Sequence, residues 1–350
     1  MGNYYLLEIG TEELPSKAIN VAREYFKGNL NKLFERFFEY DTPENIEIYA
    51  TPRRLAFILK NLKEKEPDEE KIITGPPLKV AIDDEGKYTK AALAFAKKNN
   101  LDISQLEVVE TERGKYIGAK IVKEGKKLED YIKEVIPEFI SKIPFPKTMK
   151  WNETGYRFSR PIRWIVSLLN DKVVPFEIAG VKADRYTHLH RFMTEPIGRG
   201  AKKEIGNVLD YIETLKLGFI IPKYEDRKEA IKTQITGFAK VLDAEAIIDE
   251  DLLDEVTNLN EFPVGILGEF SPKYLILPKE VIITVCKVHQ RYFNYEKDGK
   301  LIPKFLAISN TSVKDKEVVK KGYEKVLRAR LEDALFFYEE DLKHNLEDFY

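Results

Sequence analysis

The stretch Lys147–Leu169, KTMKWNETGYRFSRPIRWIVSLL, decides how the rest of the chain is read. It contains Trp151 and Trp164, both tryptophans of the chain, and interleaves Lys147, Lys150, Arg157, Arg160 and Arg163 with Tyr156 and Phe158. Aromatic faces beside guanidinium groups suit unpaired bases and phosphates, because rings stack on bases and the Arg fork matches phosphate oxygens. The competing reading is a twisted sheet whose aromatics are core and whose Arg stems run along its edge. Residues 141–203 carry thirteen Lys/Arg against five Asp/Glu, a local charge of +8 in a chain of formal net charge −2. The basic character is therefore local, and any polyanion must be met by a patch rather than by the whole molecule.

Working outward, 350 residues suffice for two or three domains with real cores. A hydrophobic share of 43% with 33% charged residues reads as soluble and globular. Cys286 is the sole cysteine, so no disulfide framework or Cys-based zinc site forms within one chain. That fits a reducing cytoplasm. The start, MGNYYLLEIGTEELP, lacks a basic segment before a long apolar core, and no apolar run approaches a membrane span.

Tyr4–Ile9 reads as a strand, and Ser16 opens a helix whose apolar residues recur on one face through Phe38. Ile46–Tyr49 and Leu55–Leu59 read as strands flanking Thr51-Pro52-Arg53-Arg54. Lys63–Lys71 reads as a charged linker ended by Gly75-Pro76-Pro77. An inserted module over 63–145 is expected to hold a helix at Thr89–Asn99, two strands around Glu112-Arg113-Gly114 and an amphipathic helix over Leu128–Ile140. Gly114 permits a positive φ in that turn. Strands are expected at IRWIVSLL, VVPFEIAGV and RYTHLHRF, then helices at Ile205–Leu215 (stopped by Gly218), around Ile231–Leu242 and over Leu252–Leu259. Lys304–Ser309 reads as a further strand and Lys316–Glu347 as a helix. The domain division that follows is 1–62 with 146–200, then 63–145, 201–312 and 313–350.

A search for catalytic patterns finds no phosphate-cradling Gly-rich loop, no pair of His on a helix with Glu between, and no Gly-x-Ser-x-Gly elbow. His188 and His190 alternate on an expected strand face, where a satisfied polar pair outweighs a metal site. Cys286 reads as buried and structural. Glu12-Glu13 and Asp249–Asp251 read as solvated helix-start carboxylates.

Ten ordered blocks carry a resemblance: LLEIGTEELP (6–15), ATPRRLA (50–56), GPP (75–77), KTMKW (147–151), FSRPIRW (158–164), HRF (190–192), DEVTNLNEFPVGILGEF (254–270), LPKEVIITVCKVHQRYF (277–293), FLAISN (305–310) and KVLRARLEDALFFYEEDLK (325–343). Together they closely resemble the β subunit family of bacterial heterotetrameric glycyl-tRNA synthetase, over essentially the whole chain. Tyr323, Lys325 and Cys286 depart from residues common there. Members run to roughly twice this length, which implies further domains. The resemblance implies an α+β, multi-domain fold of ferredoxin- or RRM-like antiparallel sheet units, an inserted module, and a C-terminal helix beginning an HD-like domain. It implies an α2β2 enzyme in which the α subunit binds ATP, Mg and glycine. This chain would then lack a complete active site, bind no cofactor, and contribute contacts to tRNA-Gly. The expected tRNA contacts are Arg53, Arg54, Lys150, Arg157, Arg160, Arg163, His190 and Arg191. Alternatives for these residues are an Arg53-Arg54 turn anchor on Glu12 or Glu13, and Arg163 packing on Trp164. Glu8, Glu12 and Glu13 are alternative faces toward the α subunit. An assembly subunit that touches no RNA is the rival function, and an HD-type phosphohydrolase is disfavoured because the chain has no His-Asp dipeptide.

Overall fold

A computed structural model of the chain describes residues 2–344, apart from 41, 84, 113, 196 and 197. The chain separates into two compact units, residues 63–131 and the remainder.

Strand β1 (Asn3–Thr11) is followed by helix α1 (Ser16–Phe34), then β2 (Ile46–Thr51) and β3 (Arg54–Leu62). Ala18, Ala22, Phe26, Leu30 and Phe34 recur every fourth residue of α1, so one stripe of the helix is buried on the sheet. Phe26 meets Phe57 edge-on at 5.4 Å between ring centroids, and Tyr5 meets Phe57 at 6.1 Å.

The smaller unit begins with charged residues that were expected to be a linker, yet Glu69–Pro77 is strand β4. Its ladder to a later strand runs from Glu69 to Thr74 and resumes at Pro77. The exposed edge tolerates both charges and prolines, which is why composition hides it. There follow α2 (Leu78–Ala81), α3 (Lys90–Lys98), β5 (Leu106–Thr111) and β6 (Gly114–Lys123). The antiparallel order is β4-β6-β5, over a core made largely of Ala81, Ala92, Ala96, Leu106, Ile117 and Ala119. Gly114 opens β6 with φ +118°, as the turn requires. Helix α4 (Leu128–Ser141) returns the chain to the larger unit.

β7 (Ile162–Leu169) starts immediately after Pro161 and lies antiparallel to β1. Short strands β8 (Lys172–Val173), β9 (Glu177–Ile178) and β10 (Val181–Asp184) complete a seven-stranded sheet of order β2-β3-β1-β7-β10-β9, with β8 on β7. β10 runs parallel to β7. Beyond it, β11 (Tyr186–His188) pairs with β12 (Lys202–Glu204) and ends at His188, so His190 is not on the expected strand. Ile205 is buried but lies in a loop, and the helix expected from there begins only at α5 (Tyr211–Leu217), after a short 3-10 turn. Gly218 caps α5 at φ −86°, an ordinary value. A β-carbon there would lie 2.4 Å from Leu189, so space rather than dihedral freedom requires the glycine.

Strand β1 is buried almost throughout because both sheet faces are covered. α1 covers one, while Ile205, Val208, Tyr211, Leu215 and Ile220 pack against Leu6, Ala56, Trp164 and Val166 on the other. Gly10 lies under the Trp164 ring, where a β-carbon would come within 1.9 Å of it.

The remainder consists of α6 (Tyr224–Leu242), β13 (Glu245–Ile247), α7 (Glu250–Asn258), β14 (Val264–Glu269), α8 (Lys279–Thr284), β15 (Phe293–Lys297), β16 (Lys300–Ser309) and α9 (Lys316–Asp341). Its antiparallel sheet has the order β13-β15-β16-β14. α6 and α7 supply Ile231, Ile235, Leu252 and Leu253 to a core with Phe293, Tyr295 and Leu306. Tyr274, Cys286, Leu327 and Leu331 form a second core with Phe305. Residues 345–347 of the expected last helix lie outside the described residues.

Candidate functional site

At the end of β1 nearest Thr11, strand alternation sends Trp164 inward and Arg163 outward. Trp164, Thr187 and Tyr211 all donate to the Glu8 carboxylate: Trp164 through Nε1, Thr187 through Oγ1 at 2.6 Å, and Tyr211 through its hydroxyl. Arg54 is 0% exposed. Its Nη1 approaches Glu8 Oε2 at 3.4 Å, its Nη2 donates to the His188 carbonyl at 2.9 Å, and its Nε donates to Glu261 Oε1 at 2.9 Å. Thr51 Oγ1 donates to the same Glu261 oxygen at 2.6 Å. One buried guanidinium thus bridges two buried carboxylates, one on β1 and one between α7 and β14.

The electrostatics follow from that enclosure. Burial works to lower the Arg54 guanidinium, but Glu261 and Glu8 outweigh it and raise it above the ordinary range. Burial works to lift the Glu261 carboxyl, yet Arg54, the Thr51 hydroxyl and His190 hold it below the ordinary value. Nearby, Arg227 is wholly buried, and among the described residues no carboxylate lies within ion-pair distance of it. It donates instead to the carbonyls of Ile221, Pro222, Ala50 and Thr257. Burial pulls its guanidinium down to about 10.

Above this interior sits a surface cluster. Arg163 Nε donates to Glu12 at 2.8 Å, and Arg191 Nη1 reaches Glu13 at 2.7 Å and Glu12 at 3.4 Å. Arg53 lies 3.8 Å from Glu13. Among the described residues Arg160 donates only to carbonyls, those of Glu13 and Ser159. Three guanidiniums therefore share two carboxylates, with Arg160 beside them, and the cluster keeps a positive surplus. Glu12 and Glu13 are ion-pair partners here rather than free helix-start charges. Lys150 and Arg157 are exposed on the hairpin closed by the Met149–Phe158 bridge, exposed Lys147 lies just before it, and Arg157 donates to Thr148.

The expected site residues therefore divide. Arg53, Arg160, Arg163 and Arg191 converge on Glu12-Glu13, while Lys150 and Arg157 are exposed on the hairpin. Arg54 and His190 (1% exposed) are interior, and His190 Nε2 lies 3.5 Å from Asn310 Oδ1. Arg163 does not pack on Trp164; Arg53 and Arg54 lie 5.4 and 5.7 Å from that ring. Glu8 is fully buried and presents no face to a partner. Among the described residues no cluster of His, Cys, Asp or Glu is arranged to hold a metal ion. The aromatics of the opening stretch are packing: Phe158 meets Phe145 at 4.7 Å and Trp151 meets Tyr156 at 6.3 Å. Sequence reasoning did not single out Glu261, whose only signal is a carboxylate followed by the apolar Phe262-Pro263-Val264 in NLNEFPVG. It also passed over Phe192, 45% exposed, with Arg199 stacked 4.7 Å from its ring. No described helix is long and apolar enough to cross a membrane.

Compared with known proteins, residues 5–350 match the family model described as glycyl-tRNA synthetase beta subunit. The glycine–tRNA ligase beta subunit of Persephonella marina is 72% identical over 346 residues, covering 99% of this chain and 49% of the relative. That of a Sulfurihydrogenibium species is 63% identical, covering 98% and 51%. That of Clostridioides difficile is 44% identical, covering 100% and 50%. The chain spans about half the length of these curated relatives.

Proposed function

Because the chain belongs to the glycyl-tRNA synthetase beta subunit family, we propose that it is the RNA-contacting and assembly part of a glycine–tRNA ligase, working in the cytoplasm. In this reading glycine is activated by ATP and transferred to the 3′ end of tRNA-Gly in a partner α subunit, within an α2β2 enzyme. ATP and Mg act there, and this chain takes no step of the chemistry. The β1–α1–β2–β3 order supports a ferredoxin- or RRM-like sheet unit, and we read α9 as the opening of an HD-like helical region.

The observation that carries the RNA reading is the cationic surplus on one segment. Among the described residues Lys147, Lys150 and Arg157 have no carboxylate partner, and Glu12-Glu13 carry fewer charges than the arginines around them. Such groups neutralise phosphates and release counterions. The test is a salt titration of binding to a tRNA-Gly transcript and to an unrelated RNA of equal size, for the wild type and for Lys150→Glu/Arg157→Glu. The variant should bind about tenfold or more weakly, with the slope of log K against log salt smaller by about 2. Unchanged affinity and slope would reject the patch. Lost capture of the α subunit with intact RNA binding would make it an assembly surface instead.

A further inference from the structure

A cavity of about 680 Å³ runs along the first half of α9, closed on its other side by the end of β14, the Phe270-Ser271-Pro272 turn after it and Pro303 of β16. Lys321, Lys325 and Arg328 line it from α9. Their spacing sets them on one face of the helix, over about 10 Å of its axis. All three are exposed, and among the described residues none has a carboxylate within ion-pair distance. The two carboxylates in the lining are already engaged. Glu269 is paired with Lys304, and Glu324 accepts from the Glu269 amide at 3.0 Å with Lys320 3.9 Å away. Glu332, which feels the Arg328 charge, is held by Lys273 at 2.8 Å and by the Tyr274 hydroxyl at 2.6 Å. The lining therefore keeps an unneutralised row of cations.

Fold stability does not account for that row. Like charges four residues apart on a helix, as Lys321 and Lys325 are, repel and destabilise it. The helix dipole favours acidic residues early and basic ones late. In α9 the order is reversed: residues 316–330 hold six Lys/Arg against two Glu, and residues 331–341 hold five Asp/Glu and no Lys/Arg. A concave site concentrates the field of such a row, and Phe270, Pro272 and Pro303 keep its far wall weakly polar. Ser271 adds a donor, since its Oγ accepts from the Lys273 amide at 3.4 Å and the hydroxyl hydrogen is left to give. An Arg fork and Lys ammonium groups beside a hydroxyl suit phosphate oxygens. One carboxylate would neutralise a single cation of the row, so the match is to a run of phosphates.

We propose that this cavity binds consecutive phosphate groups, with Lys321, Lys325 and Arg328 as their counter-charges. The site goes beyond the RNA reading above and does not rest on it, because its phosphates belong either to an RNA backbone or to a free polyphosphate. The probes are sodium tripolyphosphate and a short oligouridylate, titrated into the whole chain by calorimetry at low salt. At least one should bind saturably, and Lys321→Gln/Lys325→Gln/Arg328→Gln should weaken it about tenfold or more. For the oligouridylate the slope of log K against log salt should also shrink by about 2, the share of three phosphate contacts on a single strand. Tighter binding of the oligouridylate assigns the site to a nucleic-acid backbone, and tighter binding of tripolyphosphate assigns it to a free polyphosphate. Should the triple variant fail to fold, Lys325→Gln alone, at an exposed position, should still weaken binding several-fold. No saturable binding of either probe, or equal binding by wild type and variant, overturns the proposal and leaves the hairpin reading standing, since that reading is tested on other residues. Capture of a polyglutamate peptide in preference to both phosphate probes overturns it in favour of an acidic protein segment.

Discussion

Replacing Arg54 by Met removes the one positive charge between Glu8 and Glu261 while keeping most of the side-chain volume. Both carboxylates are then buried with hydrogen-bond donors but no counter-charge from that guanidinium. Breaking a buried pair from one side costs about 3–5 kcal/mol, a large share of the roughly 5–15 kcal/mol that holds a domain folded. With a urea m-value of about 3 kcal/mol/M, the unfolding midpoint should fall by roughly 1–1.7 M at pH 7. The pH dependence gives the sharper test. In the wild type the Glu261 carboxyl is held below its ordinary 4.5. It therefore contributes stability that is present above that value and is lost as pH falls through the depressed one. Without Arg54, burial is opposed by too little, and the carboxyl moves above its ordinary value. Protonation then relieves the variant by up to about 1.4 kcal/mol per pH unit below the raised value. Urea titrations at pH 7, 6 and 5 should show the gap between the two proteins closing as pH falls. A midpoint shift under about 0.2 M, or a gap that ignores pH, would refute the claim that Arg54 is held by charge.

Gly10→Ala should destabilise by about 1–3 kcal/mol or more, because its β-carbon would displace the Trp164 ring and with it a donor to Glu8; an unchanged thermal midpoint would show that the ring moves freely. Cys286 is buried, accepts from Asn294 Nδ2 at 3.3 Å, and its thiol is pushed up to about 11 by burial. At pH 8 it should react with a disulfide reagent only as fast as the fold opens, with the rate rising in urea. Prompt stoichiometric labelling of the native chain would count against that.

Much of the fold was legible because its elements carry their own period. The four-residue recurrence from Ala18 to Phe34 needs only a helix and one covered face to explain it, and the apolar run of β1 needs only a sheet. β4 was not legible, since Glu69–Lys71 and Gly75-Pro76-Pro77 look like a linker until β6 supplies a ladder. RYTHLHRF alternates like a long strand, but pairing with Lys202–Glu204 ends at His188, and nothing local marks that point. For the site, the basic segment and its Arg residues stand out in composition, whereas their division into surface and interior does not. Arg53 and Arg54 are adjacent and chemically identical, yet Arg53, in the turn before β3, faces Glu13 while Arg54, the first residue of β3, faces Glu8. Only the identity of partners 46 and 207 residues away distinguishes Arg54.

The Glu8 network also sets an order of events during synthesis. Glu8 finds Trp164 and Tyr211 only across sequence separations of 156 and 203 residues, and Arg54, which bridges it to Glu261, reaches that residue across 207. At about 5–20 residues per second, roughly 10–40 seconds pass between the synthesis of Glu8 and that of Tyr211. During that interval β1 carries a carboxylate in an apolar face, which disfavours premature burial of the strand in any wrong partner. The charge that is costly in the finished core thus disfavours burial of β1 until the residues that neutralise it have been made.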